Sequence, residues 1–200
     1  MHWADYTAQR LMERGDEQVS ASGITPSGEF HIGHLREILS AEMIHRACLD
    51  AGMSSKYIFI VDSMDPLRRV YDFLSPEYEE FIGCPLAYIP APNEDGSPGD
   101  GSVTYADHFL SPFLDSLEQI GVRPEVVMNH ETYERGLFAE YIDSAITNRE
   151  EIRSIIQQIS GRELPHDWFP YNPMGSGGSM DGVLSLIHIS EPTRRYRLSY

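Results

Sequence analysis

Residues 18–62 carry the pattern that most restricts the possible folds: a short strand, a glycine-containing turn, a long helix and a second strand. Gln18–Gly23 is β-prone, and the apolar residues of His31–Ala51 recur at spacings of three and four until Gly52 ends the run. Ser55–Asp62 is almost continuously apolar, which is typical of a strand buried on both faces. Because successive strands joined by a helix run parallel, this segment predicts a right-handed β-α-β crossover.

The rest of the chain continues the alternation of helices and strands. The patterns predict helices at 4–14, 105–120 and 138–159, a strand at 124–129 and a solvated loop at 90–102. We therefore expect an α/β fold with a doubly wound parallel sheet, formed by residues 1–183 and including an inserted region. Ligands of such folds bind at the carboxyl ends of the strands.

The charge balance limits the classes of partner. Thirty-one acidic residues face fifteen basic ones, the net charge is −16, and Lys56 is the chain's one lysine. A generally basic nucleic-acid-binding surface is excluded by this balance. A carboxylate-rich, lysine-poor surface suits a cytoplasm of molar salt, where screening weakens self-repulsion, so the composition predicts a halophilic source.

The cellular location of the protein and the state of its two cysteines are predicted from features that the sequence lacks. No apolar run is long enough to span a bilayer, and the N-terminus is polar and acidic rather than leader-like, so we expect a cytoplasmic protein without a membrane partner. Cys48 and Cys84 lie outside any metal-binding spacing and are predicted to be buried thiols.

The stretch PSGEFHIGH, residues 26–34, lies in the turn between the first strand and the first long helix. Gly28 and Gly33 permit close approach of a ligand, and His31 and His34 share one helix face because they are three residues apart. Together with free N–H groups at the helix terminus, two imidazoles there can donate to phosphate oxygens and stabilise charge that develops during nucleotidyl transfer. The alternative is a helix terminus with two surface histidines.

Several blocks in sequence resemble one family. SGITPSGEFHIGH is similar to the signature of class I aminoacyl-tRNA synthetases, and its GITPSG form resembles the archaeal-type class I lysyl-tRNA synthetases. The resemblance covers roughly residues 2–183 and continues in order through VDSMDPLRRVYDFL, YADHFLSPFLDSLEQIGV, ITNREEIRSII and WFPYNP. It implies a Rossmann-like class I catalytic domain, here truncated.

The resemblance also implies roles for residues near the turn. His31 and His34 would be the catalytic histidines of the ATP site, with Gly33 against the adenine. Pro26, Ser27 and Gly28 would form the ATP-binding turn before them.

Residues at the ends of two strands are the candidates for the amino-acid site. The resemblance implies that Gly23 and Thr25 meet the lysine substrate. Asp62 and Asp65 follow the second strand, where a carboxylate could pair with an ammonium group; a capping or turn role is the alternative.

An arginine pair follows these aspartates. Arg68 and Arg69 are either ligands of phosphate or RNA, or a solvated pair.

The implied reaction has two steps. Lysine attacks the α-phosphate of ATP to give lysyl-adenylate, and a terminal ribose hydroxyl of tRNA(Lys) then accepts the lysyl group. Mg²⁺ would be carried with ATP, so no protein metal site is expected. The cysteines that the family usually has after YNP are replaced by MGSGGSMDG, which makes zinc doubtful.

The resemblance stops short of the whole family pattern. No KMSKS-like loop and no helical anticodon-binding region occur, so we expect an N-terminal fragment with little aminoacylation activity. Residues 184–194, LSLIHISEPTR, match codon by codon the translation of a sequencing-library transposase adapter, and residues 184–200 are predicted to be an artefactual tail. The alternatives to a ligase fragment are an HxGH-type nucleotidyltransferase and an inactive nucleotide-binding module.

Overall fold

The computed structural model describes residues 2–175 and 178–180, and its centre is a three-stranded parallel sheet. Strand β1 spans Glu17–Ile24, β2 spans Ser54–Val61 and β3 spans Glu125–Met128. Within the described residues the strand order is β1-β2-β3, and β2 pairs in parallel with both neighbours. The predicted parallel α/β class is therefore confirmed.

Six helices accompany the sheet in the described part of the chain. They are α1 (Trp3–Met12), α2 (Ile32–Asp50), α3 (Tyr105–Gln119), α4 (Asn129–Glu134), α5 (Ala139–Thr147) and α6 (Arg149–Ser160), with two short 3-10 turns at Pro76–Phe81 and Leu86–Tyr88. None of these helices is long and apolar enough to cross a membrane. Cys48 of α2 is a buried thiol as predicted, whereas Cys84 is only half-buried.

One face of the sheet forms the main core. Tyr57, Phe59 and Val61 alternate along β2 and pack against Ile38 of α2 and Leu117 of α3. Each fully buried side chain of this size stabilises the fold by about 1.5–3 kcal/mol.

The opposite face of β2 is less covered than the sequence predicted. Ile58 and Ile60 are only half-buried, so the expectation that β2 is buried on both faces was wrong. The cause is the strand order, which places both flanking helices α2 and α3 on the Tyr57–Phe59 face. A doubly wound sheet has a layer of helices on each face, and α2 and α3 form one of these layers.

Residues 62–104 form a second core against α3, built around Leu67, Tyr78, Leu86 and Tyr105. The loop 90–102 was predicted to be solvated, and its Asn93–Asp95 tip is exposed. Its other half folds back, because the carbonyl of Gly96 accepts a hydrogen bond from the Ser75 N–H at 2.9 Å. Gly96 has φ +81°, and a Cβ there would lie 2.6 Å from the Phe73 carbonyl oxygen.

The predicted helix at 138–159 is two helices rather than one. The break falls at Asn148, which has φ −99° and ψ 18°. The Asn148 side-chain amide donates to the Ser144 carbonyl at 2.8 Å, and asparagine side chains that bond to the backbone in this way compete with helix continuation. The predicted artefactual tail, residues 184–200, lies outside the described residues.

Candidate active site

The turn between β1 and α2 is held in place by the second core. Pro26 is fully buried, and the hydroxyl of Tyr105 in α3 donates to the Ser27 carbonyl at 2.8 Å. Gly28 lies against the ring of Phe73. These contacts anchor the turn to α3 and to residues 62–104, so the start of α2 has a fixed direction.

His31 and His34 form a reciprocal cap at the start of α2. Nδ1 of His31 accepts from the Gly33 N–H at 3.0 Å, and Nδ1 of His34 accepts from the His31 N–H at 3.0 Å. This is the arrangement of a capping box, with histidine in place of the usual hydroxyl and carboxylate. The predicted pairing is found, but the backbone donors of His31 and Gly33, expected to be free for anions, are used by the rings.

The two caps fix the tautomers of the rings. Since each Nδ1 accepts a hydrogen bond, each neutral imidazole carries its proton on Nε2. The ring centroids lie 3.9 Å apart, His31 is exposed and His34 is half-buried against the edge of Phe30. The site therefore presents two neighbouring Nε2–H donors.

The electrostatic surroundings of His34 favour its neutral form. Partial burial, helped by the neighbouring His31, lowers the pKa of His34 below its ordinary value of 6.5, although Glu37 opposes the shift. At neutral pH His34 is thus an uncharged donor whose Nδ1 remains available for its cap.

An open groove of about 420 Å³ runs beside the histidine cap between β1 and α2. This volume falls within the roughly 300–1,000 Å³ range of small-molecule sites. The groove is lined by Ala21, Ser22, Gly33, Arg36, Glu37, Ser40, Ala41 and Ile44.

Glu37 links this groove to Gly23. Its Oε1 accepts from the Gly23 N–H at 3.3 Å, which occupies a backbone donor of β1 near its carboxyl end. Sequence reasoning assigned no role to Glu37, although it lies three residues after His34 and therefore on the same side of α2.

Thr25, which follows β1, and Asp65, which follows β2, are in direct contact. The Thr25 hydroxyl donates to Asp65 Oδ2 at 2.9 Å, and Arg68 Nη2 donates to the same oxygen at 3.2 Å. Arg68 therefore pairs with Asp65, while the guanidinium of Arg69 lies 5.1 Å from the centre of the Tyr71 ring.

Asp62 follows β2 and contacts the start of α4. Its Oδ1 accepts from Asn129 Nδ2 at 2.9 Å, and its N–H donates to the Ile24 carbonyl at 3.0 Å. Within the described residues the two aspartates share no hydrogen bond with the histidine pair, so the turn and the strand ends form two adjacent parts of one edge.

Sequence reasoning did not single out Asn129, nor the neighbouring contact between Ser63 and His130. Ser63 Oγ and His130 Nδ1 are 2.9 Å apart, and the His130 N–H donates to Ser63 Oγ at 3.1 Å. The signal that could have found them is positional: Asn129 and His130 directly follow β3, as Asp62 and Ser63 follow β2.

Among the described residues, no cluster of three or more His, Cys, Asp or Glu side chains could hold a metal ion.

Comparison with known proteins decides the family. A family model described as tRNA synthetases class I (K) matches residues 1–197. The chain belongs to the class I (K) tRNA synthetases.

Relatives of this class I (K) chain include three archaeal proteins. Lysine--tRNA ligase 1 of Methanosarcina acetivorans is 42% identical over 173 residues, 86% of this chain and 31% of the relative. Lysine--tRNA ligase of Archaeoglobus fulgidus is 44% identical over 174 residues, 87% of this chain and 34% of the relative. Lysine--tRNA ligase of Picrophilus torridus is 37% identical over 197 residues, 98% of this chain and 37% of the relative. The class I (K) chain thus spans about a third of the length of these relatives.

Proposed function

We propose that this chain is the N-terminal part of the catalytic domain of a lysine–tRNA ligase. The observation that carries the proposal is the histidine cap at the start of α2, which leaves the Nε2–H groups of two neighbouring rings outside the cap, at the carboxyl edge of a parallel sheet. Membership of the class I (K) family and the names of the relatives support lysine as the amino acid.

In this proposal ATP lies along the groove between β1 and α2. Gly33 approaches the adenine, the turn Pro26–Gly28 leads the backbone around the nucleotide, and His31 and His34 donate to phosphate oxygens. Donors fixed before reaction stabilise charge that builds up on the α-phosphate and on departing pyrophosphate, at no cost in reorganisation. Mg²⁺ would come bound to the phosphates of ATP.

The strand ends next to the turn would bind lysine. Gly23 and Thr25 lie at the end of β1 beside Asp62 and Asp65, and the acidic side chains suit an ammonium group. Attack of the lysine carboxylate on the α-phosphate gives lysyl-adenylate and pyrophosphate, and transfer to the ribose hydroxyl of tRNA(Lys) completes aminoacylation. Positioning of the two reactants supplies much of the rate.

We place the protein in the cytoplasm, where tRNA is aminoacylated. The net charge of −16 with a single lysine supports a cytoplasm of high salt in a halophilic archaeon. Because the chain spans about a third of its relatives, we assign nucleotide binding to these 200 residues and aminoacylation to the whole protein.

Lysine-dependent ATP–pyrophosphate exchange by the whole protein tests the assignment. We expect exchange with lysine and none with other amino acids, together with ATP binding and little aminoacylation by the 200-residue chain. Exchange that needs no amino acid would instead indicate a nucleotidyltransferase. ATP binding without exchange in the whole protein would indicate an inactive nucleotide-binding module, and lack of ATP binding would refute the proposal.

A further inference from the structure

The turn that joins β1 to α2 forms few hydrogen bonds. The Ser27 N–H donates to the Thr25 carbonyl at 2.9 Å, which closes a tight turn around the buried Pro26. In the described part of the chain, one hydrogen bond joins residues 26–30 to a distant segment, and its donor is the hydroxyl of Tyr105, 2.8 Å from the Ser27 carbonyl oxygen. The path of the turn toward the histidine cap therefore depends on a side chain from the start of α3.

The Tyr105 side chain is itself firmly placed. Tyr105 is fully buried at the first position of α3, and its own N–H donates to the Ile89 carbonyl at 2.9 Å. Its ring packs edge-on against Tyr78, and the centre of the Phe109 ring lies 4.8 Å away. Burial raises the pKa of the Tyr105 phenol, so its hydroxyl is protonated at neutral pH and remains a donor.

The other long-range contacts of the turn are apolar. The Phe73 ring lies against Gly28, and the Phe30 ring stacks on Phe113 of α3 with ring centres 4.3 Å apart. Apolar contacts have no preferred direction, whereas a hydrogen bond to a carbonyl oxygen prefers the plane of its peptide group. The bond from Tyr105 is thus the contact that orients a peptide of the turn.

The same peptide group has a second end. In a trans peptide the C=O and the N–H point in opposite directions, so a Ser27 carbonyl held by Tyr105 turns the Gly28 N–H away from Tyr105. Within the described residues this N–H has no acceptor in the protein. A backbone donor that is fixed in direction and left unpaired suits an anionic ligand.

We propose that Tyr105 is a positioning residue of the nucleotide site: its hydroxyl holds the Ser27 carbonyl so that the Gly28 N–H is presented to the phosphates of ATP. The inference rests on the proposed function, because it names a residue that orients that nucleotide site. Tyr105 acts through the turn and does not touch the ligand.

The expected effect of losing the hydroxyl follows from the conformations of the free turn. Without the bond, only a fraction of the molecules has the Ser27–Gly28 peptide in the binding orientation, and the apparent affinity for ATP falls by that fraction. The net contribution of one neutral hydrogen bond limits the fall to about three- to tenfold. Because ATP selects the binding orientation, the bound complex is unchanged.

Two matched variants of the 200-residue chain test the inference. Tyr105→Phe keeps the ring and removes the hydroxyl. Tyr78→Phe is the control, because Tyr78 is an equally buried phenol of the same core whose hydroxyl donates to the Pro90 carbonyl at 2.8 Å instead of to the turn. Thermal unfolding gives the stability of each variant. ATP titration, followed by the amide NMR signals at a temperature where both variants are folded, gives the affinity.

We expect similar decreases in Tm for the two variants, because each loses one buried hydrogen bond. Y105F weakens ATP binding by about three- to tenfold, and Y78F leaves it unchanged. The Gly28 amide signal of the unmodified chain shifts on addition of ATP. In lysine-dependent exchange by the whole protein, Y105F raises the KM for ATP by the same factor and leaves kcat and the KM for lysine unchanged.

Four results would overturn the inference: unchanged ATP affinity in Y105F, an equal loss of affinity in Y78F, a lower kcat with an unchanged KM for ATP, or a Gly28 amide that ATP does not shift. The last measurement needs no variant. If the unmodified chain binds ATP and any of these results is found, this inference fails and the nucleotide site stands. If the unmodified chain does not bind ATP, the proposed function itself fails.

Discussion

The backbone N–H of His31 donates to Nδ1 of His34 at 3.0 Å, so the ring proposed to contact ATP also closes the first turn of α2. In the same way, Nδ1 of His31 accepts a hydrogen bond from the Gly33 N–H. In the proposed function each histidine therefore has two functions on opposite sides of one ring: Nδ1 stabilises the helix, and Nε2–H would donate to the nucleotide. The two functions can be separated by substitution.

Replacing His34 by glutamate separates stability from nucleotide binding. Glutamate at this position is the usual partner in a capping box and favours the positive end of the helix dipole, so H34E is expected to fold as stably as the original chain. Its charge repels phosphate, so ATP affinity falls by at least about tenfold. Thermal unfolding and ATP titration measure the two effects.

The companion variant H34A should lose both properties. Loss of the cap costs about 0.5–2 kcal/mol of unfolding free energy, and loss of the donor weakens ATP binding. ATP binding by H34E equal to that of the original chain would contradict a role for His34 in phosphate binding.

The lowered pKa of His34 predicts a pH dependence of stability. The unfolded chain takes up this proton at about 6.5, before the folded one does, so the contribution of neutral His34 is complete above pH 6.5 and is lost as the pH falls through the folded pKa. Protonation of Nδ1 also breaks the bond from the His31 N–H. As the pH is lowered from 8 to 5, the unfolding free energy should fall more steeply for the original chain than for His34→Gln, whose side chain cannot titrate.

An NMR pH titration of the His34 ring measures its pKa in the folded chain directly. We expect its midpoint below 6.5; a midpoint above that value would mean that Glu37 outweighs burial and His31.

Gly33→Ala should impair ATP binding more than stability. A Cβ at Gly33 would lie 2.8 Å from His31 Cε1 and 2.9 Å from Nδ1, so the His31 ring must move and its cap is lost. The loss of about 1 kcal/mol is offset by the better helix propensity of alanine, which is worth up to about 1 kcal/mol. ATP titration and thermal unfolding check the prediction. Gly52→Ala, where a positive φ opposes substitution, should show the reverse, lower stability with unchanged ATP affinity.

Arg46→Ala should destabilise the contact between α2 and the end of α3. Arg46 Nε pairs with the buried Glu42 at 2.6 Å, and its Nη2 donates to the Gly121 carbonyl at 2.8 Å. The substitution leaves Glu42 unpaired, but the Arg46 side chain is 55% exposed, so we expect a loss of about 1–2 kcal/mol rather than the full cost of a buried charge.

Urea unfolding of a pair of variants tests the cause. Arg46→Ala combined with Glu42→Gln should recover part of the loss, because the orphaned charge is removed. Arg10→Ala, which breaks the exposed pair with Glu13, is the control and should change stability by less than about 0.5 kcal/mol. Equal losses of unfolding free energy in R46A and R10A would show that the burial of Glu42 does not add to the cost of losing its partner.

Much of the fold was predictable because its cues are local. Apolar periodicity in α2 and α3 and the β-branched run of β2 indicated these elements to within one or two residues, since side-chain spacing reports helix and strand geometry directly. The break at Asn148 was missed because the apolar periodicity continues through it, while a side-chain hydrogen bond to Ser144 interrupts the backbone.

The sequence by itself determined the parallel α/β class, the place of the histidine pair at the start of α2 and the strand-end position of the aspartates, because each depends on residues close together in the chain. Only the tertiary structure decided how the groups are paired. Asp65 meets Arg68 and Thr25 while Asp62 meets Asn129, 67 residues away, and α2 and α3 cover the same face of the sheet. Such pairings depend on how distant segments pack, and the spacing of residues along the chain does not encode that packing.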